Sequence, residues 1–399
     1  MNERHPQFPQ LFSPLEMKGV TLRNRVGISA HFAGWWSTDG LPNDAFRAYL
    51  EERAKGGAGL FVIGATTPTY EGGPGWFQNL DDRIVPAYRM LADAGRRHGT
   101  AVFAQLCHLG DPWQGGPEGP FPPPLRAPSA LPVRERTAPP ERSPDELAEI
   151  VASFGRAAGH ARAGGVDGVE LHAHETFLHA QFLSPRHNRR TDRYGGSLEN
   201  RMRLIVETLK AMREAVGPDF PLGVRLKAAE PVPGGLSSDE VAEVIHHLEK
   251  QNLIDYVSLT AGDVALHHGP MTRPDGEWLP LVGKLKAGTA LPVMHAGHIT
   301  EPFMAERALA DQQTDVVLMT KTHIADPHFV RKVRDGRLDD VRYCVRCLQS
   351  CIGRLETMTC VYNPVTMRER TWAEITPAAR PRRVVIAGAG PAGMEAALV

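Results

Sequence analysis

The residues LGVRLKAAEPVPGGLSSDEVAEVIHHLEKQNLIDYVSLT, Leu222–Thr260, combine two kinds of sequence pattern. Leu222–Lys227 and Tyr256–Thr260 are short, rich in β-branched and apolar side chains, and are predicted to be strands. Between them, Ser237–Gln251 is predicted to be a helix, because a serine hydroxyl can cap its start and two acids occupy its first turn. A strand, a helix and a second strand in this order are typical of a βαβ unit with parallel strands.

The same alternation of strand and helix patterns extends along most of the chain of 399 residues. The predicted strands are Arg25–Ala30, Leu60–Ala65, Ala101–Cys107, Gly168–His172, Leu222–Lys227, Tyr256–Thr260, Pro292–Ala296 and Asp315–Met319. The predicted helices include Asn43–Gly56, Ile84–His98, Ser143–Ala163, Ser197–Val216, Ser237–Gln251 and Glu301–Ala310. This α/β pattern predicts a (β/α)8 TIM barrel, and a doubly wound open sheet is the alternative that the pattern alone leaves open.

The composition excludes several classes of function. The 45 basic and 46 acidic residues nearly cancel, so no electrostatic footprint for nucleic acid or an anionic membrane is present. No apolar run approaches the roughly 20 residues that a membrane span needs, and the first residues lack the apolar region of a secretory signal. Four of the five cysteines are clustered, which argues against a disulfide framework. These features favour a soluble cytoplasmic enzyme.

The clustered cysteines, Cys344, Cys347, Cys351 and Cys360, have the spacing C-x2-C-x3-C-x8-C. Four thiolates at such intervals can hold an iron–sulfur cluster or a structural zinc ion. They follow the α/β body and precede a nucleotide-binding pattern, so we expect an electron-transfer cluster, with zinc as the alternative.

The nucleotide-binding pattern lies at the end of the chain. Arg383–Ala387 is predicted to be a strand, and the glycines of a G-x-G-x-x-G motif, Gly388, Gly390 and Gly393, are predicted to form the turn into a helix. A complete dinucleotide-binding fold needs many more residues than the sequence contains after this point. We therefore expect a truncated Rossmann-like domain that is scarcely a working nucleotide site.

Several segments together resemble the Old Yellow Enzyme family of FMN-binding barrels. They are Leu11–Leu15, Leu22–Val26, Gln105–Gly110, Val169–His172 and the long signature from Gln181 to Arg201. The cysteine cluster and the trailing glycine motif resemble the long iron–sulfur subclass, which includes 2,4-dienoyl-CoA reductase and trimethylamine dehydrogenase. The resemblance implies FMN, a 4Fe–4S cluster, FAD or another adenine nucleotide in a full-length protein, and often NAD(P)H.

The resemblance implies a division of the chain into three parts. Residues 1–340 are expected to form the FMN-binding TIM barrel, and residues 341–382 the iron–sulfur segment with a linker. Residues 383–399 are expected to form the first strand and turn of the truncated nucleotide-binding domain.

The resemblance also assigns the flavin contacts. Arg225 is placed against the N1–C2=O edge of the flavin, and Gln105 bonds the pyrimidine part of the ring. Other positions that match ring contacts are Ser29, Ala30 and Ala65, and the phosphate positions are Gly297, His298, Thr320 and Lys321. Thr320-Lys321 departs from the usual Gly-Arg, and lysine neutralises phosphate as a point charge without the arginine fork.

The predicted catalytic segment departs from the family pattern. His172 keeps the first family position, Glu175 stands where most ene-reductases carry His or Asn, and Phe177 replaces the proton-donating tyrosine. Phenylalanine cannot donate a proton, so the usual acid step cannot use this position. Another acid can substitute for it, or the reaction needs none, or the site is degenerate. The candidate substitutes are His172, His174, Glu175 and His267 with its neighbour His268.

Three functional hypotheses follow. The first is NAD(P)H-dependent reduction of an activated C=C bond, such as an enone or an enoyl-CoA-like substrate. It is favoured by the general pattern of the family and by Glu175, since dienoyl-CoA reductase also resembles this sequence in having glutamate there. The second is oxidation or N-demethylation of a methylated amine, favoured by Phe177, Glu175 and the indole pair Trp35-Trp36. The third is a non-catalytic electron-transfer subunit.

Phe32 stands near the position of the cysteine that links flavin covalently in trimethylamine dehydrogenase, so we expect non-covalent FMN. A small-molecule substrate, NAD(P)H or an electron-transfer protein, and a homo-oligomer are the expected partners.

Overall fold

The computed structural model of the protein describes residues 5–31, 39–70, 76–110, 127–129, 141–174, 177–261, 271–351, 358–372, 374, 376 and 378–398. In chain order, the strands are β1 (Leu15–Met17), β2 (Val20–Leu22), β3 (Val26–Ile28), β4 (Leu60–Thr67), β5 (Phe77–Gln78), β6 (Ala101–Leu106), β7 (Gly168–Ala173), β8 (Leu222–Lys227), β9 (Tyr256–Thr260), β10 (Val293–His295) and β11 (Val316–Leu318). The helices are α1 (Asp44–Lys55), α2 (Val85–Arg96), α3 (Pro144–Ala163), α4 (Leu178–Leu183), α5 (Leu198–Val216), α6 (Ser238–Lys250), α7 (Leu279–Lys286), α8 (Pro302–Ala310), α9 (Thr320–Ala325), α10 (Phe329–Arg334), α11 (Glu369–Trp372) and α12 (Pro391–Leu398).

Among the described residues, eight parallel strands close into a barrel in the order β3-β4-β6-β7-β8-β9-β10-β11. Closure is complete because β3 pairs with β4 on one side and with β11 on the other. The predicted (β/α)8 TIM barrel is confirmed, and all eight predicted strands lie within two residues of the observed ones. The carboxyl ends of parallel strands meet at one rim, where such barrels carry their sites.

The interior of the barrel contains two large aromatic side chains, Phe103 and Tyr256, among aliphatic ones, and each packs against a glycine. The rings of Phe103 and Tyr256 lie 5.6 Å apart, and the Tyr256 hydroxyl donates to the Val169 carbonyl at 3.1 Å. A Cβ added to Gly168 would lie 2.9 Å from the Phe103 ring, and one added to Gly223 would lie 2.3 Å from the Tyr256 ring. Glycine at these two positions therefore makes room for the aromatic core.

The predicted helix starts are confirmed by their capping hydrogen bonds. The Ser143 hydroxyl accepts from the Glu146 backbone amide and the Glu146 carboxylate accepts from the Ser143 amide, and Ser237 and Glu240 form the same reciprocal pair. Each capping box satisfies two backbone donors at the start of its helix. Within the described residues, no helix has the length and apolar composition needed to cross a membrane.

The prediction of a strand at Arg383–Ala387 is wrong for this structure. The segment is exposed, with Val385 at 87% of its full accessibility, and no strand is assigned between the described residues 378 and 390. A strand needs a neighbour to pair with, and none lies beside this segment in the described part of the chain.

The segment that follows the barrel is anchored on helix α1 by a buried ion pair. Arg53 Nη1 lies 2.8 Å from Glu369 Oε1, and both side chains are almost completely inaccessible, at 0% and 1%. The Arg53 guanidinium also lies 3.3 Å above the centre of the Tyr49 ring and donates to the Tyr49 carbonyl. The Asn363 amide adds a hydrogen bond of 2.9 Å to the Ile324 carbonyl. Docking of this segment therefore depends on charges that water does not screen.

We predict that Arg53→Met alone lowers the free energy of unfolding by about 3–5 kcal/mol, because it leaves the Glu369 carboxylate buried without a counter-charge. The double variant Arg53→Met/Glu369→Leu is expected to recover most of this loss, since an apolar pair of similar volume carries no desolvation cost. Urea unfolding followed by tryptophan fluorescence measures both changes.

The matched control for this prediction is Arg96→Met, which removes an exposed pair with Asp93 (side-chain accessibilities of 58% and 50%). It is expected to change the free energy of unfolding by less than about 1 kcal/mol. Equal stability of Arg53→Met and the parent protein would show that the buried pair does not anchor the segment.

Candidate functional site

Side chains from β3 and the carboxyl-terminal halves of β6, β7 and β8 meet at the rim of the barrel. Arg225 Nη1 donates a hydrogen bond to the Ser29 hydroxyl, which links β8 to the end of β3 across the barrel. Arg225 lies opposite His172 in the register of β7 and β8. All three side chains are buried. The structure therefore brings together Ser29, His172 and Arg225, which the sequence predicts separately.

Gln105, the fourth predicted rim residue, is held by a buried carboxyl group. Its Nε2 donates to Glu170 Oε1 at 2.5 Å, and the two residues are opposite each other in the register of β6 and β7. Burial raises the pKa of Glu170, while the Arg225 charge and the Gln105 hydrogen bond lower it. Glu170 was not among the predicted site residues, although an acid inside the apolar strand Gly168–His172 is a signal that could have identified it.

Small residues form the wall beside Gln105. A Cβ built on Gly64 of β4 would lie 2.6 Å from the Ala30 Cβ and 3.6 Å from Gln105 Oε1, so these residues are close neighbours, with Ala65 next along β4. Small side chains leave room for a planar ring, while a guanidinium and a carboxamide supply donors to its edge. The residues present therefore fit a planar ring such as isoalloxazine.

An aromatic stack extends from the end of β7. The His172 ring lies 4.4 Å from the His174 ring and 3.8 Å from the Phe177 ring, and Phe177 in turn lies 5.6 Å from Trp76. His174 Nδ1 lies 3.2 Å from the Thr260 hydroxyl at the end of β9. Trp76 was not predicted as a site residue, because nothing in its own sequence neighbourhood marks it.

Several predicted positions lie outside the residues that the structure describes. They are Phe32, Trp35, Trp36, Glu175, His267 and His268. The described part of the predicted catalytic segment is thus His172, His174 and Phe177, of which only the histidines can exchange a proton.

The predicted phosphate positions after β10 have a constrained geometry. A Cβ on Gly297 would lie 2.2 Å from His295 Nε2, so the close approach requires glycine. His298 adopts a φ of 55°, and its Nδ1 lies 3.3 Å from Glu277 Oε1.

The predicted phosphate positions after β11 face in two directions. The Thr320 hydroxyl accepts from the Ser29 backbone amide at 2.9 Å, so it braces the end of β3 at the rim. Lys321, the next residue, lines the pocket formed by the clustered cysteines. The sequence predicts both as phosphate contacts, and the structure adds these two further roles.

The cysteines Cys344, Cys347, Cys351 and Cys360 line a common pocket together with Lys321 and Arg346. They come together within a span of 17 residues, from Cys344 to Cys360. In the described part of the chain, no three His, Cys, Asp or Glu side chains are placed to hold a metal ion. Zinc draws its thiolates to about 2.3 Å from one point, whereas a four-iron cluster places a cube of iron and sulfide between them. Four thiolates that line one pocket are a donor set that either an iron–sulfur cluster or a zinc ion can use.

Two other polar residues near the rim are already engaged within the protein. Cys107 is fully buried, its thiol donates to the Thr66 carbonyl, and burial raises its pKa, so it is a structural cysteine of the barrel. His31 Nδ1 donates to the Ser29 carbonyl at 2.8 Å, and its Nε2 lies 2.9 Å from the Tyr49 hydroxyl. His31 therefore positions the rim rather than facing it as a free base.

The terminal glycine motif forms a compact turn. Gly388 has a φ of 115°, and a Cβ on Gly393 would lie 2.0 Å from the Gly388 carbonyl oxygen. Gly390 immediately precedes helix α12. The predicted turn and helix are thus present, without the predicted strand before them.

Comparison with known proteins gives the following similarities. The model of the NADH:flavin oxidoreductase / NADH oxidase family matches residues 10–340. The N,N-dimethylglycine/sarcosine dehydrogenase of Chromohalobacter salexigens is 36% identical over 98% of this chain and 58% of that protein. The multifunctional alkene reductase/demethylase of Caballeronia cordobensis is 35% identical, with the same two shares.

Among solved structures, a 2-naphthoyl-CoA reductase in complex with 2-naphthoyl-CoA is similar, with a TM-score of 0.89 and 32% identity. The alignment covers 97% of this chain and 62% of that one. The chain thus spans less than two thirds of the length of these relatives.

Buried histidines make the stability of the protein depend on pH. Burial lowers the pKa of His295 and of His323 to about 4, although each Nδ1 donates to a backbone carbonyl. In the unfolded chain the same groups take up a proton below about pH 6.5. The unfolded state therefore binds more protons between these values, and stability falls as pH drops from 6.5 toward 4.

We predict that each of these histidines lowers the free energy of unfolding by about 2 kcal/mol when the pH falls from 7 to 5. His295→Gln and His323→Gln should each reduce the pH dependence seen in urea unfolding, while His246→Gln, at an exposed position of α6, should leave it unchanged. Identical pH profiles for all variants and the parent would contradict the buried neutral state.

Proposed function

The chain belongs to the NADH:flavin oxidoreductase / NADH oxidase family, and on this basis we propose that it is an FMN-dependent oxidoreductase that oxidises a methylated amine. Arg225, Gln105, Ser29 and the small residues Ala30 and Ala65 would hold the flavin ring. The phosphate would lie near Gly297, His298, Thr320 and Lys321. Bound FMN supplies the acceptor for a hydride.

The observation that carries this proposal is the position of Phe177 in the aromatic stack. Its ring lies between Trp76 and His172, so this place in the site presents carbon and no transferable proton. Reduction of a C=C bond needs a proton for the second carbon, whereas removal of hydride from a C–H beside nitrogen needs no acid. The described arrangement is therefore sufficient for oxidation of an amine, whereas reduction of a C=C bond would need an additional proton donor.

The side chains of the site have defined tasks in such a reaction. The Phe177 and Trp76 faces would attract a protonated amine by roughly 0.5–2 kcal/mol as it binds. After the amine has lost its N–H proton to solvent, a methyl carbon on nitrogen would give up its hydrogen with both electrons, as hydride. Water would then add to the iminium ion, and formaldehyde, the smaller amine and one proton would be released. Arg225 would stabilise negative charge at the flavin edge, and Glu170 would keep Gln105 oriented by accepting a hydrogen bond from its amide.

We further propose that Cys344, Cys347, Cys351 and Cys360 hold a 4Fe–4S cluster that takes electrons singly from the flavin, as in the long iron–sulfur subclass. Their shared pocket supports this assignment. Several expectations from the sequence stay predictions. They are the binding of FAD or another adenine nucleotide by the full-length protein, the cytoplasmic location, a homo-oligomer, and the division into residues 1–340, 341–382 and 383–399.

Reduction of an activated C=C bond by NAD(P)H is the second candidate function. It is favoured by the similarity to an alkene reductase/demethylase and to a 2-naphthoyl-CoA reductase. His172 and His174 at the end of β7 are the described groups that could supply the missing proton.

We predict that, without oxygen and without NAD(P)H, an N-methylated amine bleaches the visible absorbance of the flavin in the purified protein. N,N-dimethylglycine and sarcosine are the first probes, with glycine as the control that has no N-methyl group. Bleaching by NADH followed by recovery with an enone, and no response to any amine, would reverse the order of the two candidates. No response to any donor would instead support a non-catalytic electron-transfer subunit.

We also predict that Phe177→Tyr raises enone reduction by roughly 10²–10⁴-fold, because it restores a phenolic donor. Amine oxidation is expected to change by less than tenfold, since it uses no acid. Phe177→Leu is the matched control, because it removes the ring without adding a hydroxyl. Steady-state rates with both substrates measure these effects, and an unchanged enone rate would refute the missing-acid explanation.

A further inference from the structure

We infer that Lys321 and Arg346 are electrostatic partners of the cysteine-bound cluster and favour its reduced form. This inference rests on the proposed function, since it assumes the 4Fe–4S cluster. Both cations line the same pocket as the four cysteines. They come from different parts of the chain, Lys321 from α9 after the last barrel strand and Arg346 from between the first two cysteines.

Arg346 is a buried charge with incomplete compensation. Its side chain is only 10% accessible, and its Nη2 lies 3.4 Å from the carboxylate of Asp275, which is 40% accessible. Its Nη1 is buried and has no hydrogen-bond partner among the described residues. A buried guanidinium normally satisfies its donors, so this geometry leaves capacity for a further anionic acceptor.

The backbone at Arg346 points to the same role. The residue has a φ of 54°, in the left-handed region that glycine adopts more readily than any other residue. Its backbone amide donates to the Cys344 sulfur at 3.4 Å. The backbone of Arg346 is thus held in an unfavourable conformation that places its amide on a ligand sulfur and its guanidinium in the pocket. Such backbone strain is typically retained at functional sites.

Lys321 supplies the second positive charge. It is partly buried, and it lines the same pocket as Cys344, Cys351 and Arg346. Two cations beside each other repel, so their common position is favourable when negative charge lies between them. Four cysteine thiolates around a cluster provide that charge.

The consequence concerns the electron that the cluster accepts. In the cluster-loaded protein, an electron supplied by the reduced flavin would add one negative charge to the cluster, while its four cysteine ligands would remain bound. Nearby positive charges stabilise the reduced form more than the oxidised form, so they raise the reduction potential.

The experiment compares the purified, cluster-loaded protein with Lys321→Met and Arg346→Met, in a redox titration followed by electron paramagnetic resonance. Each variant should shift the one-electron reduction equilibrium about tenfold toward the oxidised cluster, which is about 59 mV, and the double variant should shift it further. Lys321→Arg and Arg346→Lys keep the charge and should stay near the parent value. Arg342→Met removes a cation from the same segment that pairs with Glu395 and does not line the pocket, so it should have little effect.

Iron, sulfide and FMN contents are measured on the same samples. Loss of FMN in the methionine variants with an unchanged cluster potential would show that the two cations serve the flavin phosphate, and would overturn the inference. Equal potentials in all loaded variants would also overturn it and leave the cluster assignment intact. A parent protein that takes up no iron and sulfide would instead refute the cluster of the proposed function, and the inference with it.

Discussion

The pairing of β3 with both β4 and β11 is the constraint on which the rest of the molecule depends. It turns a row of parallel strands into a closed ring, so that residues at the beginning and the end of the barrel become neighbours. The Ser29 hydroxyl can then accept a hydrogen bond from Arg225 across the ring, and the Ser29 backbone amide can donate one to the Thr320 hydroxyl. An open sheet with the same strands would separate these groups, because its first and last strands would lie at opposite edges.

Closure also joins two sites that have different chemistry. Thr320 faces the rim and Lys321 faces the cysteine pocket, although they are consecutive residues at the start of α9. On the other side, Tyr49 contacts His31 of the rim through its hydroxyl and Arg53 through its ring. Thr320 and Lys321 thus connect the rim directly to the cysteine pocket, and Tyr49 connects the rim to the helix on which Arg53 anchors the following segment.

The sequence identified the barrel well because parallel strands buried on both faces leave continuous apolar runs, and because Ser143 and Ser237 mark helix starts unambiguously. It also placed Gln105, His172 and Arg225 at strand ends. It did not reveal the Gln105–Glu170 bond, the stacking of Trp76 on Phe177 or the second roles of Thr320 and Lys321. Each of these depends on contacts between distant segments. The prediction of a strand at Arg383–Ala387 was wrong for a related reason, because local strand propensity cannot supply a pairing partner.

The ion pair between Arg53 and Glu369 joins residues that are 316 positions apart. At a synthesis rate of 5–20 residues per second, a ribosome adds the carboxylate roughly 15–60 s after the guanidinium. During that interval helix α1 carries a cation on the face that will later be covered. The nascent barrel therefore cannot seal this face until the segment around Glu369 has been made.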